Sequence, residues 1–241
     1  MSTIRSFVAI PIPDNIKKSV QDWVEPFRRH DSSIRWVRPE GIHLTLKFLG
    51  EVEEKRFENF FSEFTQLLTP FRPIRLSVKE VGQFPPSGTP RILWMGLSGE
   101  IDPLKLLVRS VDDFFERFGF PKEKRAFAPH VTIARIKEKP SSTLRAKSPT
   151  EGAQEPVTLS AFGGTAPLAP QVPQGGTASP PRALRVARSL TGSSGFLRKW
   201  HEAGPVSFGE FVADRVVFYK SELTKGGAVY SVIGEFELGK K

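Results

Sequence analysis

The sequence predicts an α+β fold of two duplicated lobes, with antiparallel sheets and flanking helices around a central cleft. Two observations carry that prediction. The order of elements repeats roughly along the chain: strand, helix, histidine strand, helix, then strands, helix, histidine strand and a helix remnant. The two histidine strands also read almost alike, as His43-Leu44-Thr45-Leu46 and His130-Val131-Thr132-Ile133. Such repetition implies an internal duplication. A pseudo-two-fold axis would bring the two motifs side by side at the bottom of the cleft, although 87 residues separate them in sequence.

Each element has a local reason. Residues 5–12 form a short apolar strand, and Asp14 is a good N-cap for the helix that follows. That helix carries Ile16, Val20, Trp23, Val24 and Phe27 at helical spacing and ends or kinks near Pro26. Trp36-Val37 leads through a turn at Pro39-Glu40-Gly41 into the first histidine strand, which stops at Gly50. A second helix aligns Phe57, Phe60, Phe61, Phe64, Leu67 and Leu68 on one stripe. Two β-like runs, 74–84 and 91–97, flank Pro85-Pro86-Ser87-Gly88. Asp102 caps a third helix with Pro103 at its first position and Leu104, Leu107, Val108, Val111, Phe115 and Phe118 facing inward. The second histidine strand runs over 127–136. A short helical piece at 196–202 precedes two strands, 208–223 and 229–238, joined by a turn at Thr224-Lys225-Gly226-Gly227.

The whole chain of 241 residues reads as one two-lobed domain, interrupted at about 138–195. In that stretch Pro, Gly, Ser, Thr and Ala fill 37 of 58 positions, too little apolar surface to offset the entropy of ordering it. It reads as a disordered insert, either a solvated loop or an arm that touches RNA through Arg182, Arg185 and Arg188. The chain has no cysteine, which excludes disulfides, thiolate nucleophiles and Cys-type zinc sites and fits a cytoplasmic setting. The apolar run at 7–12 is too short for a signal peptide or a membrane span. A net charge of +9, of which the insert holds only +3, favours a polyanionic partner.

Side chains alternate between the two faces of a strand. His43 and Thr45 therefore project from one face while Leu44 and Leu46 enter the core, and His130 and Thr132 do the same above Val131 and Ile133. Two imidazoles and two hydroxyls form a metal-free kit for cleaving a phosphodiester: one base, one acid and two donors to phosphate oxygens. On the same alternation Lys47 joins His43 and Thr45, as an RNA-backbone contact or as a solvated lysine. Arg135 differs from His130 by an odd number of residues, so simple alternation points it away; it is kept as a candidate phosphate contact. Phe7 and Trp36 either stack on a base or belong to the core. His30 and His201 lie near helix C-termini beside other cations and read as structural.

The segments Trp36-Val37-Arg38-Pro39-Glu40-Gly41-Ile42-His43-Leu44-Thr45-Leu46-Lys47-Phe48-Leu49-Gly50 and Ala128-Pro129-His130-Val131-Thr132-Ile133-Ala134-Arg135 closely resemble the two-histidine (2H) phosphoesterase superfamily. Within it the chain resembles the RNA 2′,3′-cyclic phosphodiesterases, historically called 2′-5′ RNA ligases; Tyr219-Lys220-Ser221-Glu222-Leu223 and Val229-Tyr230 add to the likeness. The resemblance covers about three-quarters of the chain and departs from the family at the 138–195 insert. It implies a LigT-like fold and metal-independent hydrolysis of 2′,3′-cyclic RNA ends to 2′-phosphomonoesters. In that reaction His43 is the proton donor, His130 the proton acceptor, and Thr45 and Thr132 bind the phosphate. The implied protein is a cytoplasmic monomer that acts in RNA processing, with no cofactor, metal or membrane partner. Ligation of such an end to a 5′-hydroxyl uses the same residues, and a non-catalytic RNA-binding module is the remaining alternative.

Overall fold

A computed structural model of the chain describes residues 2–28, 33–87, 89–136, 200, 202, 206–224 and 227–239. The expected insert at 138–195, with its three arginines, lies outside them, as do His30 and His201. Among the described residues the elements are β1 (Thr3–Pro11), α1 (Asp14–Arg28), β2 (Ile34–Trp36), β3 (His43–Glu53), α2 (Arg56–Leu68), β4 (Ile74–Phe84), β5 (Ile92–Gly99), α3 (Ile101–Arg117), β6 (His130–Ile136), β7 (Ser207–Ala213), β8 (Arg215–Thr224) and β9 (Gly227–Glu237). They build two antiparallel sheets, ordered β3-β1-β8-β9 and β2-β6-β5-β4-β7.

The predicted duplication is present. In the first sheet β1, α1 and β3 form a strand, a helix and a histidine strand paired back onto the first; β5, α3 and β6 repeat that unit in the second. The lobes are not successive halves of the chain, however, because each helix packs on the other unit's sheet. Ile16 of α1 lies over Gly209 of β7, and Trp23 meets Phe208 edge-on. Phe115 of α3 packs against Phe218 of β8. The crossed helices interlock the lobes. Among the described residues β2 has no counterpart in the first sheet, so the symmetry is approximate.

Several boundaries move for identifiable reasons. The strand expected over 208–223 is two strands in different sheets. Burial passes from Phe208, Phe211 and Ala213 to Val216, Val217 and Phe218 across the exposed Asp214, whose carbonyl accepts the Leu238 amide. β3 does not stop at Gly50. The positive φ of 72° there accommodates a bulge, and pairing resumes to Glu53. Asp14 is not an N-cap, because Pro13 already accepts the first helical bond from the Lys17 amide and Asp14 sits inside the first turn. Likewise Glu100 holds the cap position of α3, which puts Asp102 and Pro103 second and third in the helix.

The phenylalanine stripe of α2 builds the heart of the first lobe. Phe64 is fully buried and meets Phe114, Phe218 and Phe236 edge-on, with ring centroids 4.8–5.3 Å apart. Such contacts add about 0.5–1.5 kcal/mol each beyond the area they bury. Phe64→Ala is therefore expected to cost about 3–5 kcal/mol of unfolding free energy. It should appear as a lower urea midpoint with an unchanged slope.

Candidate active site

β3 and β6 meet where the two sheets adjoin, which brings the two motifs together. Pro11 and Ala9 of β1 pair with His43 and Thr45; Gly96 and Trp94 of β5 pair with His130 and Thr132. All four motif side chains are half-buried and project from one face of their sheets, while Leu44, Leu46, Val131 and Ile133 are buried on the other. No protein group among the described residues engages either threonine hydroxyl, so both are free to donate into the cleft.

The imidazoles are anchored alike, each on the carbonyl two residues before it. The His130 Nδ1–H donates to Ala128 O at 2.7 Å, and the His43 ring donates to Gly41 O. With Nδ1 so committed, His130 presents its Nε2 as the acceptor. His43 stacks on Phe7 at 4.6 Å and meets the edge of Tyr230 at 5.3 Å, whereas Phe84 lies edge-on to His130 at 5.1 Å. Burial is the main cause that lowers the pKa of both rings, with the hydrogen-bonded carbonyls opposing it. His43 falls to about 4, helped by the positive charges of Arg135 and Lys17 and by His130. His130 is lowered by burial and then by Arg135. Both imidazoles are consequently neutral near pH 7.

Arg135 thus acts on both histidines, although simple alternation sends it to the opposite face. The cause is a β-bulge. Trp94 pairs with Thr132 and Leu93 with Ala134, which leaves Ile133 as an extra residue. Ile133 and Ala134 both turn to the core, and Arg135 emerges exposed on the histidine face. β3 has the same bulge at the same motif position: Ala9 pairs with Thr45 and Val8 with Lys47, which leaves Leu46 extra. This overturns the expectation for Lys47. It is buried on the core side, paired with Asp112 of α3 and donating to Pro121 O at 3.0 Å. Phe48, which the sequence reading passed over, takes the place that alternation assigned to Lys47 and is 65% exposed beside Phe7. Of the two aromatics considered for base stacking, Phe7 is buried against His43, and Trp36 packs near Trp200.

One signal for the bulge was present in sequence. Val131 and Ile133 set an odd-numbered apolar phase that Ala134 and Ile136 reverse. In β3 the same reversal is masked by a lysine at the switch. No cluster of three or more metal-ligating side chains occurs among the described residues. No helix among them is long and apolar enough to cross a membrane.

Comparison with known proteins agrees with this architecture. A family model, LigT like Phosphoesterase, matches residues 10–94 and 96–167. The RNA 2′,3′-cyclic phosphodiesterase of Methanocaldococcus jannaschii is 28% identical over 233 residues, covering 97% of this chain and 100% of that protein. The protein of the same name from Archaeoglobus fulgidus is 38% identical over 139 residues, 56% of this chain and 74% of its own. Among solved structures, TT0787 of Thermus thermophilus superposes with a TM-score of 0.61 at 24% identity, covering 98% of both chains. Escherichia coli LigT complexed with 3′-AMP gives 0.60 at 19%, over 99% of this chain and all of that one. The fold is that of a two-histidine phosphoesterase. The chain belongs to the LigT-like phosphoesterase family.

The buried pair gives a direct test of the corrected geometry. Lys47→Ala strands the Asp112 carboxylate and is expected to destabilise the fold by about 3 kcal/mol. Lys47→Ala with Asp112→Ala should lose less than the sum of the two single changes in a double-mutant cycle. A solvated lysine would give a change within about 0.5 kcal/mol.

Proposed function

We propose that this chain hydrolyses RNA 2′,3′-cyclic phosphodiester ends to 2′-phosphomonoesters without a metal ion, both lobes working as one catalytic domain. The observation that carries the reading is the convergence of two anchored, neutral imidazoles on one arginine, flanked by two unengaged threonine hydroxyls. The relatives' shared name supports the substrate class.

In this mechanism His130 Nε2 takes a proton from water as the water oxygen attacks phosphorus. The bond from phosphorus to O3′ breaks, and His43 delivers a proton to the departing O3′. Thr45, Thr132 and Arg135 hold the non-bridging oxygens, where negative charge grows. Phe48 offers its exposed face to the nucleobase. A 5′-hydroxyl in the water's place would give a 2′–5′ linkage, which product analysis distinguishes from hydrolysis. His43 is neutral in the free protein, so its acid role requires that substrate binding supply the charge that favours its protonation. A phosphate anion beside Arg135 does so by offsetting the positive field.

His43→Ala and His130→Ala are each expected to lower turnover by about 10²–10⁴-fold, with the double mutant little worse than either. A nitrophenyl phosphodiester, whose leaving group needs no proton, separates the roles. It should largely rescue His43→Ala and leave His130→Ala impaired. Thr45→Ala or Thr132→Ala should cost about 1.5–3 kcal/mol of transition-state binding. Turnover of a 2′,3′-cyclic nucleotide should be unchanged by EDTA; a demand for added divalent metal would sink the proposal.

The pH dependence follows from the lowered pKa values. The kcat/KM profile reports the free enzyme, so its bell should lie on the acid side of the usual histidine value of 6.5. The kcat profile reports the substrate complex and should lie at higher pH. Removing a positive neighbour makes protonation easier. Arg135→Gln should therefore move the kcat/KM bell upward while lowering its height.

A further inference from the structure

We propose that Arg35, set across from Arg135, forms a second phosphate subsite that makes this enzyme a reader of RNA chain ends rather than of mononucleotides. The inference rests on the function proposed above and adds the substrate's next phosphate to it. Among the described residues β2 is the strand that the second sheet has and the first lacks. Its central residue pairs directly with Arg135: Ile34 with Ile136, Arg35 with Arg135 and Trp36 with Ala134. Directly opposed residues of an antiparallel pair point to the same face, with their Cα atoms only about 4.5–5.5 Å apart. Ile34 and Ala134 turn to the core, so Arg35 and Arg135 stand exposed together on the face of His130 and Thr132.

Like charges directly opposed across strands are destabilising unless something between or above them is negative. No carboxylate among the described residues pairs with either guanidinium. Several other surface cations do find one, among them Arg28 with Glu25, Arg117 with Glu63, Arg215 with Glu235 and Lys122 with Asp113. Arg35 is also held in place by the backbone that follows it. The Val37 amide just beyond β2 donates to the carbonyl of Ile133, the extra residue of the bulge, at 2.8 Å. The 3₁₀ turn at Pro39–Gly41 then runs directly into His43. Arg35 is thus linked to the His130 strand by a backbone hydrogen bond and to His43 by a short 3₁₀ turn.

The chemistry of the substrate identifies the anion. A cyclic phosphate occupies the 2′ and 3′ oxygens of a terminal nucleotide, so the only neighbouring backbone phosphate is the one on that nucleotide's 5′ side. Arg135, whose charge reaches both imidazoles, serves the reacting phosphate. Arg35 lies one strand further out, on the edge strand beside Arg135, and is assigned to that next phosphate. A guanidinium fork suits this task because its donors match phosphate oxygens in pairs.

The test compares a nucleoside 2′,3′-cyclic phosphate with a dinucleotide that ends in the same cyclic phosphate, using the full-length protein and R35Q. The mononucleotide lacks the 5′-side phosphate, so R35Q should change its kcat/KM by less than twofold. The dinucleotide should lose about 5–10-fold in kcat/KM through KM, with a log–log salt dependence shallower by about 0.7. R35K should recover part of that loss. An equal loss on both substrates, or none on either, overturns the subsite. If the parent cleaves neither substrate, the hydrolase reading fails and the subsite is judged by binding alone. A labelled oligoribonucleotide ending in a 2′-phosphate must then bind R35Q more weakly than the parent, and equal affinity overturns the proposal.

Discussion

The site depends on one backbone irregularity used twice. An extra residue at Leu46 and another at Ile133, each the third residue after a histidine, reverse the alternation of their strands. Before the bulge the histidine and threonine face the cleft; after it the face belongs to Phe48 in one motif and Arg135 in the other. A flat strand would put Lys47 in the cleft and turn Arg135 to the core side. The bulges thus place an aromatic surface on one lobe and a cation on the other, at equivalent distances along the chain from their histidines. Matched irregularities at matched positions are what a duplicated unit would retain if the irregularity serves the chemistry.

The bulges are held from outside the cleft. Lys47, turned inward by the first, meets Asp112 of α3, and the Asp112 carboxylate also accepts the Glu123 amide at 3.2 Å. That places one carboxylate between the His43 strand and the segment leading to the His130 strand. The second bulge is held by backbone, through the bond from the Val37 amide to Ile133 O. α1 and α3 each cross to the opposite sheet, so neither lobe completes its core without the other's helix. Separation of the lobes would cost the core contacts of both helices at once, and the spacing of the two imidazoles is stiffened accordingly.

Much of this was legible in the sequence because the informative features are periodic. Alternation over four residues located the His-x-Thr faces, the phenylalanine stripe located α2, and the repeated order of elements announced the duplication. What escaped is where periodicity breaks. A bulge leaves composition untouched and changes only the phase, and in β3 the phase change falls on a lysine, which looks like a surface residue. Asp214 likewise sits inside what reads as one continuous β-run, yet it is the point where the chain leaves one sheet for the other. The exchange of helices between lobes had no local signature, since each helix offers the same apolar stripe to either sheet.

The electrostatics of the cleft tie the proposed acid–base chemistry to occupancy. Burial gives both imidazoles a cost for carrying charge, and Arg135 adds to it by standing near each. Without an anion the site therefore holds two bases and no acid. A bound phosphate reverses one side of that balance. Its negative charge offsets Arg135 and Lys17, and the remaining penalty is the desolvation of whichever ring takes the proton. In the proposed mechanism the guanidinium that would hold the substrate is also what keeps the proposed general acid unprotonated until a substrate arrives. On this reading Arg135 both binds phosphate and sets the timing of His43, which explains why the bulge that exposes it lies in the histidine strand itself.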